Sequence, residues 1–338
     1  MGSTTPEITT LGSVAGLIAT TLRASGFDPE PLFVAAGLDS GRITDPNSRF
    51  PMQRMQKLWK LAIETTGDPC LGLAAARQFQ PALLHGLGLA WLVSDTLLDA
   101  FGRLLRYARL INSALDFRLE DQADSVYLVT VLPEVLPSDF EYAAIDLGMA
   151  AFLRMCQFTA GDPVMPRHVE LQRPPPTCLS QFEDIFGSSI EFGAPVNRFC
   201  FDRDLLTRHL ASANPELARI NDQVVMDYLA RFDRDSIAMQ VRSKIIHQLP
   251  DGIPKQETIA DTLHVSLRSL QRKLKEEDTS FKNLLEETRR QLALQYLRDS
   301  RRSIGEITYL LGFSEPSNFT RAFKRWTGKS PVQYRMTG

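Results

Sequence analysis

The chain has 338 residues, 43% of them hydrophobic, and a formal net charge of −2 at neutral pH. It is longer than one average domain and carries apolar material for more than one core. It holds no run of 18 apolar residues and opens without a basic stretch leading into a signal-type apolar core, so the pattern excludes a helical membrane span and predicts a cytoplasmic protein.

Up to about residue 115 the apolar spacing is helical. Residues 14–25, 29–36 and 52–66 are amphipathic, the last with Met55, Leu58, Leu61 and Ala62 spaced for burial. A glycine-punctuated apolar run fills 80–88. Residues 94–112 form a longer helix with Leu97, Leu98, Phe101, Leu104, Leu105 and Ala108 on one side. The period then changes. Residues 116–132 alternate as two short strands through Phe117, Leu119, Val126, Leu128, Val129 and Val131. Helical spacing returns over 139–159. A strand at 167–171, a rigid Pro174-Pro175-Pro176 loop, a helix at 178–186 and a strand at 197–201 follow. This mixture predicts an α+β N-terminal domain.

The carboxy-terminal part reads differently. Residues 257–274 contain a short helix, a turn at His264, and a second helix that Ser266 can cap. Leu267, Leu270 and Leu274 make its buried stripe, and Arg268, Gln271, Arg272 and Lys275 lie outside. Histidine enters positive φ more readily than most residues, so the turn is plausible but slightly strained. Residues 281–297 then read as one helix of strong helix formers, spanning roughly 25 Å. A second copy begins at Ser303, which with Glu306 forms a capping box. Ile304, Ile307 and Leu311 face inward. Gly312 suits the left-handed residue that ends the helix, and Ser314 can cap the next. Phe319, Ala322, Phe323 and Trp326 give one apolar stripe, opposite Ser317, Asn318, Arg321, Lys324 and Arg325. Aligning Ile259 with Ile307 places Leu263 on Leu311, Val265 on Phe313 and Ser266 on Ser314. With one insertion, Leu270 meets Phe319, Arg272 meets Arg321 and Leu274 meets Phe323. An ordinary amphipathic helix pair would also carry a basic face, but here turn, caps and basic helix coincide twice. Two helix-turn-helix units on a long connector can present two helices near the ~34 Å spacing of successive major-groove faces.

Charge divides in the same place. Residues 236–338 hold 18 Lys and Arg against 11 Asp and Glu, a net of +7, which leaves 20 against 29 and a net of −9 for residues 1–235. A basic nucleic-acid-binding part joined to an acidic part fits that asymmetry. Cys70, Cys156, Cys178 and Cys200 are far apart and show no metal-ligand spacing, so free buried thiols are expected and no metal or cofactor is.

Residues 236–338 resemble the DNA-binding domain of the AraC/XylS family of bacterial transcription regulators. The resemblance runs through Ile259-Ala260, 266–274, 304–313, 319–326 and 328–334 with Ser330-Pro331. Thr308 departs from the family's small alanine at a helix contact, and His264 from its turn glycine; both are expected to loosen local packing. The N-terminal part resembles the larger ligand-binding domain of one branch of that family, not its short sugar-binding β-barrel. That likeness rests on Leu84-His85-Gly86-Leu87-Gly88, Arg106-Tyr107-Ala108, Glu191-Phe192-Gly193-Ala194-Pro195, Phe201-Asp202 with Leu205-Leu206, and Ala213-Asn214-Pro215.

The resemblance implies a ligand-sensing or dimerisation domain over 1–215, a linker region over 216–235, and an all-α tandem helix-turn-helix domain over 236–338. It further implies a sequence-specific regulator, expected as an activator, that binds double-stranded DNA, answers to a small-molecule effector, works with RNA polymerase and forms a homodimer. Arg268, Gln271, Arg272, Ser317, Asn318 and Arg321 are the candidate base contacts, because Arg suits guanine and Gln or Asn suits adenine in the major groove. Lys275, Lys324 and Arg325 are the candidate phosphate contacts. His85, Trp91, Arg106, Tyr107 and Tyr142 stand beside apolar runs, but structural roles are expected for them and the ligand-binding residues stay unassigned. The alternatives are an N-terminal domain used only for oligomerisation or partner docking, and a DNA-repair enzyme. No hydrolase, metalloprotease or phosphate-loop motif occurs, and the cysteines lack the clustering that methyl-accepting chemistry needs, so no enzyme is expected.

Overall fold

The computed structural model describes residues 8–131, 141–161, 163–187, 189–232, 237–277, 279–298 and 302–337. The chain divides into two compact units, Met1–Val225 and Met226–Gly338.

In the first unit, β1 (Thr9–Leu11) pairs antiparallel with β2 (Arg49–Pro51). Around this ribbon lie α1 (Gly12–Ala24), α2 (Glu30–Ala36), α3 (Met52–Thr66), α4 (Leu71–Arg77), α5 (His85–Leu92) and α6 (Leu97–Ile111). The helix α6 starts where Thr96 accepts the Asp99 amide at 3.0 Å. Then come β3 (Asp116–Asp121), β4 (Ser125–Val131), α7 (Ala143–Ala160), β5 (His168–Leu171), α8 (Leu179–Phe186), β6 (Ile190–Phe192), β7 (Asn197–Asp202), α9 (Arg203–Thr207) and α10 (Pro215–Phe232), whose residues after Val225 belong to the second unit. The strands β3–β7 make an open five-stranded sheet in the order β3-β4-β7-β5-β6, antiparallel except for β5 and β6. The expected α+β class is therefore observed. The ends predicted at Leu132 and at residue 139 lie outside the described residues.

The core lies between this sheet and the helices α5, α6 and α7. Phe199 and Phe201 alternate onto one face of β7, and Phe152 of α7 stacks on Phe199 at 5.2 Å. Phe101 of α6 reaches Phe152 at 4.9 Å and Phe201 at 5.7 Å, and Trp91 of α5 meets Phe152 edge-on at 5.5 Å. These rings are all buried, and such pairs add about 0.5–1.5 kcal/mol each beyond area burial. The glycine-punctuated run proves to be a 3-10 turn (Pro81–Leu84) followed by α5. Its glycines allow backbone to meet backbone. A Cβ on Gly88 would fall 1.8 Å from the Pro81 carbonyl oxygen, and one on Gly86 would fall 2.9 Å from that of Asn221 in α10.

The stretch 216–235, expected to be a linker region, is helical through Phe232 as α10; residues 233–236 lie outside the described residues. Asn214 accepts the Leu217 amide at 3.1 Å and Pro215 opens the helix, which are start signals. Ala218, Val225, Tyr228 and Leu229 supply its buried stripe. Cys70 and Cys178 were expected to be free thiols but are joined by a disulfide, with Cα atoms 6.4 Å apart. Cys156 and Cys200 are free and buried.

The unit also buries charge. Arg103 of α6 donates to Asp222 of α10 at 3.2 Å and to the Ser94 hydroxyl at 3.0 Å, and it pairs with Asp99 one turn back. Burial opposes its charge, but Asp222 and Asp99 outweigh burial and hold the guanidinium above its ordinary pKa. Asp146 of α7 pairs with Arg173 and is 1% exposed. Burial pushes its carboxyl up to about 7 in spite of Arg173. The raised folded value means folding favours the protonated form. The stabilisation is full below the unfolded carboxylate range and fades as pH rises through about 7. Acidifying from about pH 8 to about 6.5 should raise the melting temperature by about 2 °C. His85, pushed down by burial and by Arg49, works against this gain as pH falls toward 6.5 and below. Thermal scans of Asp146→Asn should lose the gain; an unchanged gain would assign it to another group.

The second unit is helical. It contains α11 (Ile237–Gln248), α12 (Gln256–Thr262), α13 (Leu267–Glu276), α14 (Phe281–Arg298), α15 (Ile304–Leu310), α16 (Pro316–Thr327) and α17 (Pro331–Thr337). Its core takes Val241 and Ile245 from α11, Leu270 and Leu274 from α13, Ile307 from α15, and Phe319 and Phe323 from α16. The helix α14 lies among them through Leu284, Leu292, Ala293 and Leu297. At 1.5 Å per residue this connector runs about 27 Å.

Candidate nucleic-acid interface

Both helix-turn-helix units are present, and they repeat in detail. In the first, His264 takes φ 55°, its amide donates to Asp261 at 3.0 Å, and the Val265 amide donates to Ala260 at 3.0 Å. In the second, Gly312 takes φ 67°, its amide donates to Tyr309 at 2.9 Å, and the Phe313 amide donates to Thr308 at 3.0 Å. The same two bonds thus close both helices. His264 accepts the strain that Gly312 avoids. Gly312 is also demanded by space, since a Cβ there would lie 2.8 Å from the Gly252 carbonyl oxygen and 2.9 Å from that of Leu249.

The helix starts differ. Ser266 caps α13 by accepting the Ser269 amide at 3.2 Å, and Ser303 with Glu306 forms the expected capping box on α15. Ser314 does not cap α16. That helix begins one residue later, with Glu315 at the cap position and Pro316 at N1, where its fixed φ and missing N–H cost nothing. Thr308 does not loosen the packing. It is fully buried, and its hydroxyl donates to Ile304 at 2.7 Å, so no polar group is left orphaned.

The outer faces carry the candidate DNA contacts. Arg268, Gln271, Arg272 and Lys275 on α13 are exposed, as are Ser317, Arg321, Lys324 and Arg325 on α16; Asn318 is half-buried. Several are held by neighbours. Arg272 pairs with Glu276 at 2.6 Å, and Gln271 reaches Gln256 at 3.5 Å. Arg321 donates to Asn318 at 2.6 Å, which prealigns two candidates from one helix face. Ser317 donates to Glu315 at 3.3 Å. The exposed Arg272–Glu276 pair is worth only a few tenths of a kcal/mol, so a base or phosphate can displace the carboxylate. Arg325 is more constrained. It pairs with Glu286 of α14, which also accepts the Trp326 indole N–H at 3.0 Å. Those bonds from Trp326 and Arg325 hold the Glu286 carboxyl below its usual range.

Two positioning residues escaped the sequence reading. Arg289 of α14 is buried, and its guanidinium donates to the carbonyls of Leu311 and Gly312, both at 2.9 Å. It also lies 4.3 Å over the Phe313 ring. Burial lowers its pKa, and the partial negative charge at the α15 C-terminus favours the cation. The connector therefore clamps the second turn directly. An Arg between Leu285 and Leu292 on an apolar helical stripe was the available signal. Glu277, at the end of α13, accepts the Ile237 and Ala238 amides at 2.6 and 3.1 Å and so caps α11.

In the first unit the residues weighed for ligand contact have structural places. Trp91 and Tyr107 are buried, Arg106 lies 5.4 Å over the Tyr107 ring, and the Tyr142 carbonyl accepts the Asp146 amide at the start of α7. Among the described residues, the group able to hold a metal ion is His168, Glu170 and Glu191 on β5 and β6. Its central member is already paired, since Glu170 accepts from Arg198 at 2.7 Å.

A family model described as the arabinose-binding domain of the AraC transcription regulator, N-terminal part, matches residues 26–210, and a helix-turn-helix domain model matches 259–337. The chain is 32% identical to the ornithine utilization regulator of Pseudomonas aeruginosa over 92% of its own length and 91% of that protein's. It is 24% identical to the HTH-type transcriptional regulator VirS of Mycobacterium tuberculosis over 94% and 93%. The crystal structure of the transcriptional regulator CdpR from Pseudomonas aeruginosa matches 91% of this chain and 96% of that one, with TM-score 0.45 and 19% identity. Repeated turns, exposed basic helices, the two family models and the likeness to the ornithine utilization regulator agree: the chain belongs to the AraC family of DNA-binding transcription regulators.

Proposed function

We propose that α13 and α16 enter successive major-groove faces of one DNA duplex. Arg268, Gln271, Arg272, Ser317, Asn318 and Arg321 read base edges, and Lys275, Lys324 and Arg325 hold phosphates. The observation that carries this reading is the duplicated turn, closed by the same two backbone bonds in each unit, with the polar faces of the helices that follow exposed. The roles follow the proposed division into a sensing domain over 1–215, a connecting stretch over 216–235 and a DNA-binding domain over 236–338. Binding of a small-molecule effector to the first part shifts the second between states of different promoter affinity, which requires the effector to prefer one state. RNA polymerase and a second copy of the chain are the further partners, and the protein works in the cytoplasm without enzymatic turnover. The two free cysteines, Cys156 and Cys200, are both buried.

A relative is named an ornithine utilization regulator, so a thermal-shift screen should begin with ornithine and related amino acids, then fatty acids and small aromatics. Self-association has separate support. Leu217, Ile220 and Val224 form an exposed apolar row on α10, each 45–48% accessible.

Footprinting and binding titrations on the DNA upstream of the chain's own gene test the contacts. Arg272→Ala should weaken specific binding by about 1–3 kcal/mol, roughly 5- to 150-fold, and relax preference at one half-site. Lys275→Ala should weaken binding evenly across sequences and lower the salt slope by about 1. Unchanged affinity and preference in Arg272→Ala would reject the base-contact assignment.

A further inference from the structure

The disulfide between Cys70 and Cys178 lies in the first unit and takes no part in the DNA contacts. Cys70 is fully buried just before α4. Cys178 is half-buried just before α8, where the loop containing Pro174, Pro175 and Pro176 ends. The bridge closes a loop of 108 residues that includes α4 to α7 and β3 to β5. It therefore ties the helical part of the unit to the segment leaving the sheet.

We infer that Cys70 and Cys178 form a reversible thiol–disulfide couple, closed by a low-molecular-weight disulfide such as oxidised glutathione and opened by the matching thiol. The inference rests on the DNA-binding regulator reading. A protein that works on chromosomal DNA shares the compartment in which thiols are kept reduced, and a disulfide there is transient or regulatory and not a permanent staple.

The positions assign an order to the sulfurs. Cys178 is the accessible one, and it stands at the N-terminus of the eight-residue α8, whose free amides favour a thiolate. Cys70 is enclosed, and its amide donates to the Asp68 carboxylate at 2.8 Å, a negative neighbour that opposes a thiolate. The Cys178 thiolate attacks one sulfur of R–S–S–R, forms a mixed disulfide and releases RS⁻. The Cys70 sulfur then attacks the Cys178 sulfur, forms the internal bond and releases the second RS⁻. Two electrons pass from the cysteine sulfurs to the oxidant, and the two thiol protons end on the two released RS⁻. Cys156 and Cys200 are internal controls. Both are buried, and burial pushes the Cys156 thiol well above its ordinary value, so it remains a thiol.

The test uses the full chain equilibrated with reduced or with oxidised glutathione, quenched in acid, alkylated in denaturant and mapped by mass spectrometry. All four cysteines should alkylate after reduction. After oxidation Cys70 and Cys178 alone should be protected, linked to each other. Closing so long a loop should raise the melting temperature by about 5–15 °C, and Cys178→Ser should abolish both the protection and the rise. The wild-type peptide map decides the matter if that variant does not fold. Full alkylation under both conditions, glutathione left on Cys178 without transfer to Cys70, or a bond that survives excess reduced glutathione would each overturn the couple. Promoter binding is titrated on the same two samples. Its loss in both states would count against the regulator reading and leave the couple standing.

Discussion

Replacing Arg103 with methionine should cost the first unit about 3–5 kcal/mol, because it takes a buried guanidinium away from two buried carboxylates. The side chains of Arg103, Asp99 and Asp222 are 3%, 10% and 6% exposed, so water cannot take the place of the lost guanidinium. Asp99 and Asp222 would then lose the guanidinium that both of them bind. Urea unfolding of the wild type and the variant reads the loss. Adding Asp99→Asn and Asp222→Asn to Arg103→Met should recover much of the loss, since a neutral cluster leaves no uncompensated charge. A loss below about 1 kcal/mol for Arg103→Met would show that the cluster contributes little.

The second large effect belongs to Arg289. Alanine there removes two hydrogen bonds and a ring contact, and it leaves the carbonyls of the buried Leu311 and Gly312 without their donor. Each stranded acceptor costs about 1–3 kcal/mol, so a total of about 2–4 kcal/mol is expected in the second unit. Arg289→Lys should not rescue it, because an ammonium lacks the planar fork that serves two carbonyls together. Hydrogen exchange should report the loss first at the amides of Gly312 and Phe313, which close the turn. Promoter affinity should fall although Arg289 is buried and touches no DNA. Full affinity with normal protection at those amides would refute the clamp.

The parts that could be read from sequence are those fixed by near neighbours. Caps at Ser266 and Ser303, the turn at Gly312 and the stripe from Phe319 to Trp326 all depend on residues within a turn or two, and they stand as expected. The strands β3 and β4 are long enough to alternate and were visible, whereas β1, β2 and β6 have three residues each and carry no period. What stayed hidden depends on partners distant in the chain. Arg103 meets Asp222 across 119 positions, Arg289 meets the second turn across 22 and 23, and Cys70 meets Cys178 across 108. Residue type alone makes each of these an exposed charge or a spare thiol; only packing gives it a role. Ser314 failed as a cap for a different reason, because Pro316 set the start of α16 instead.

The duplicated turns are not equally held. The one at Gly312 is unstrained and gripped from α14, while the one at His264 carries a side chain in a left-handed conformation. The fold thus carries two matching tools, one braced from the connector and one bent through a strained residue. On the proposed docking, an altered promoter base under α16 meets a stiff probe and is penalised in full, whereas the same change under α13 meets a helix with room to adjust.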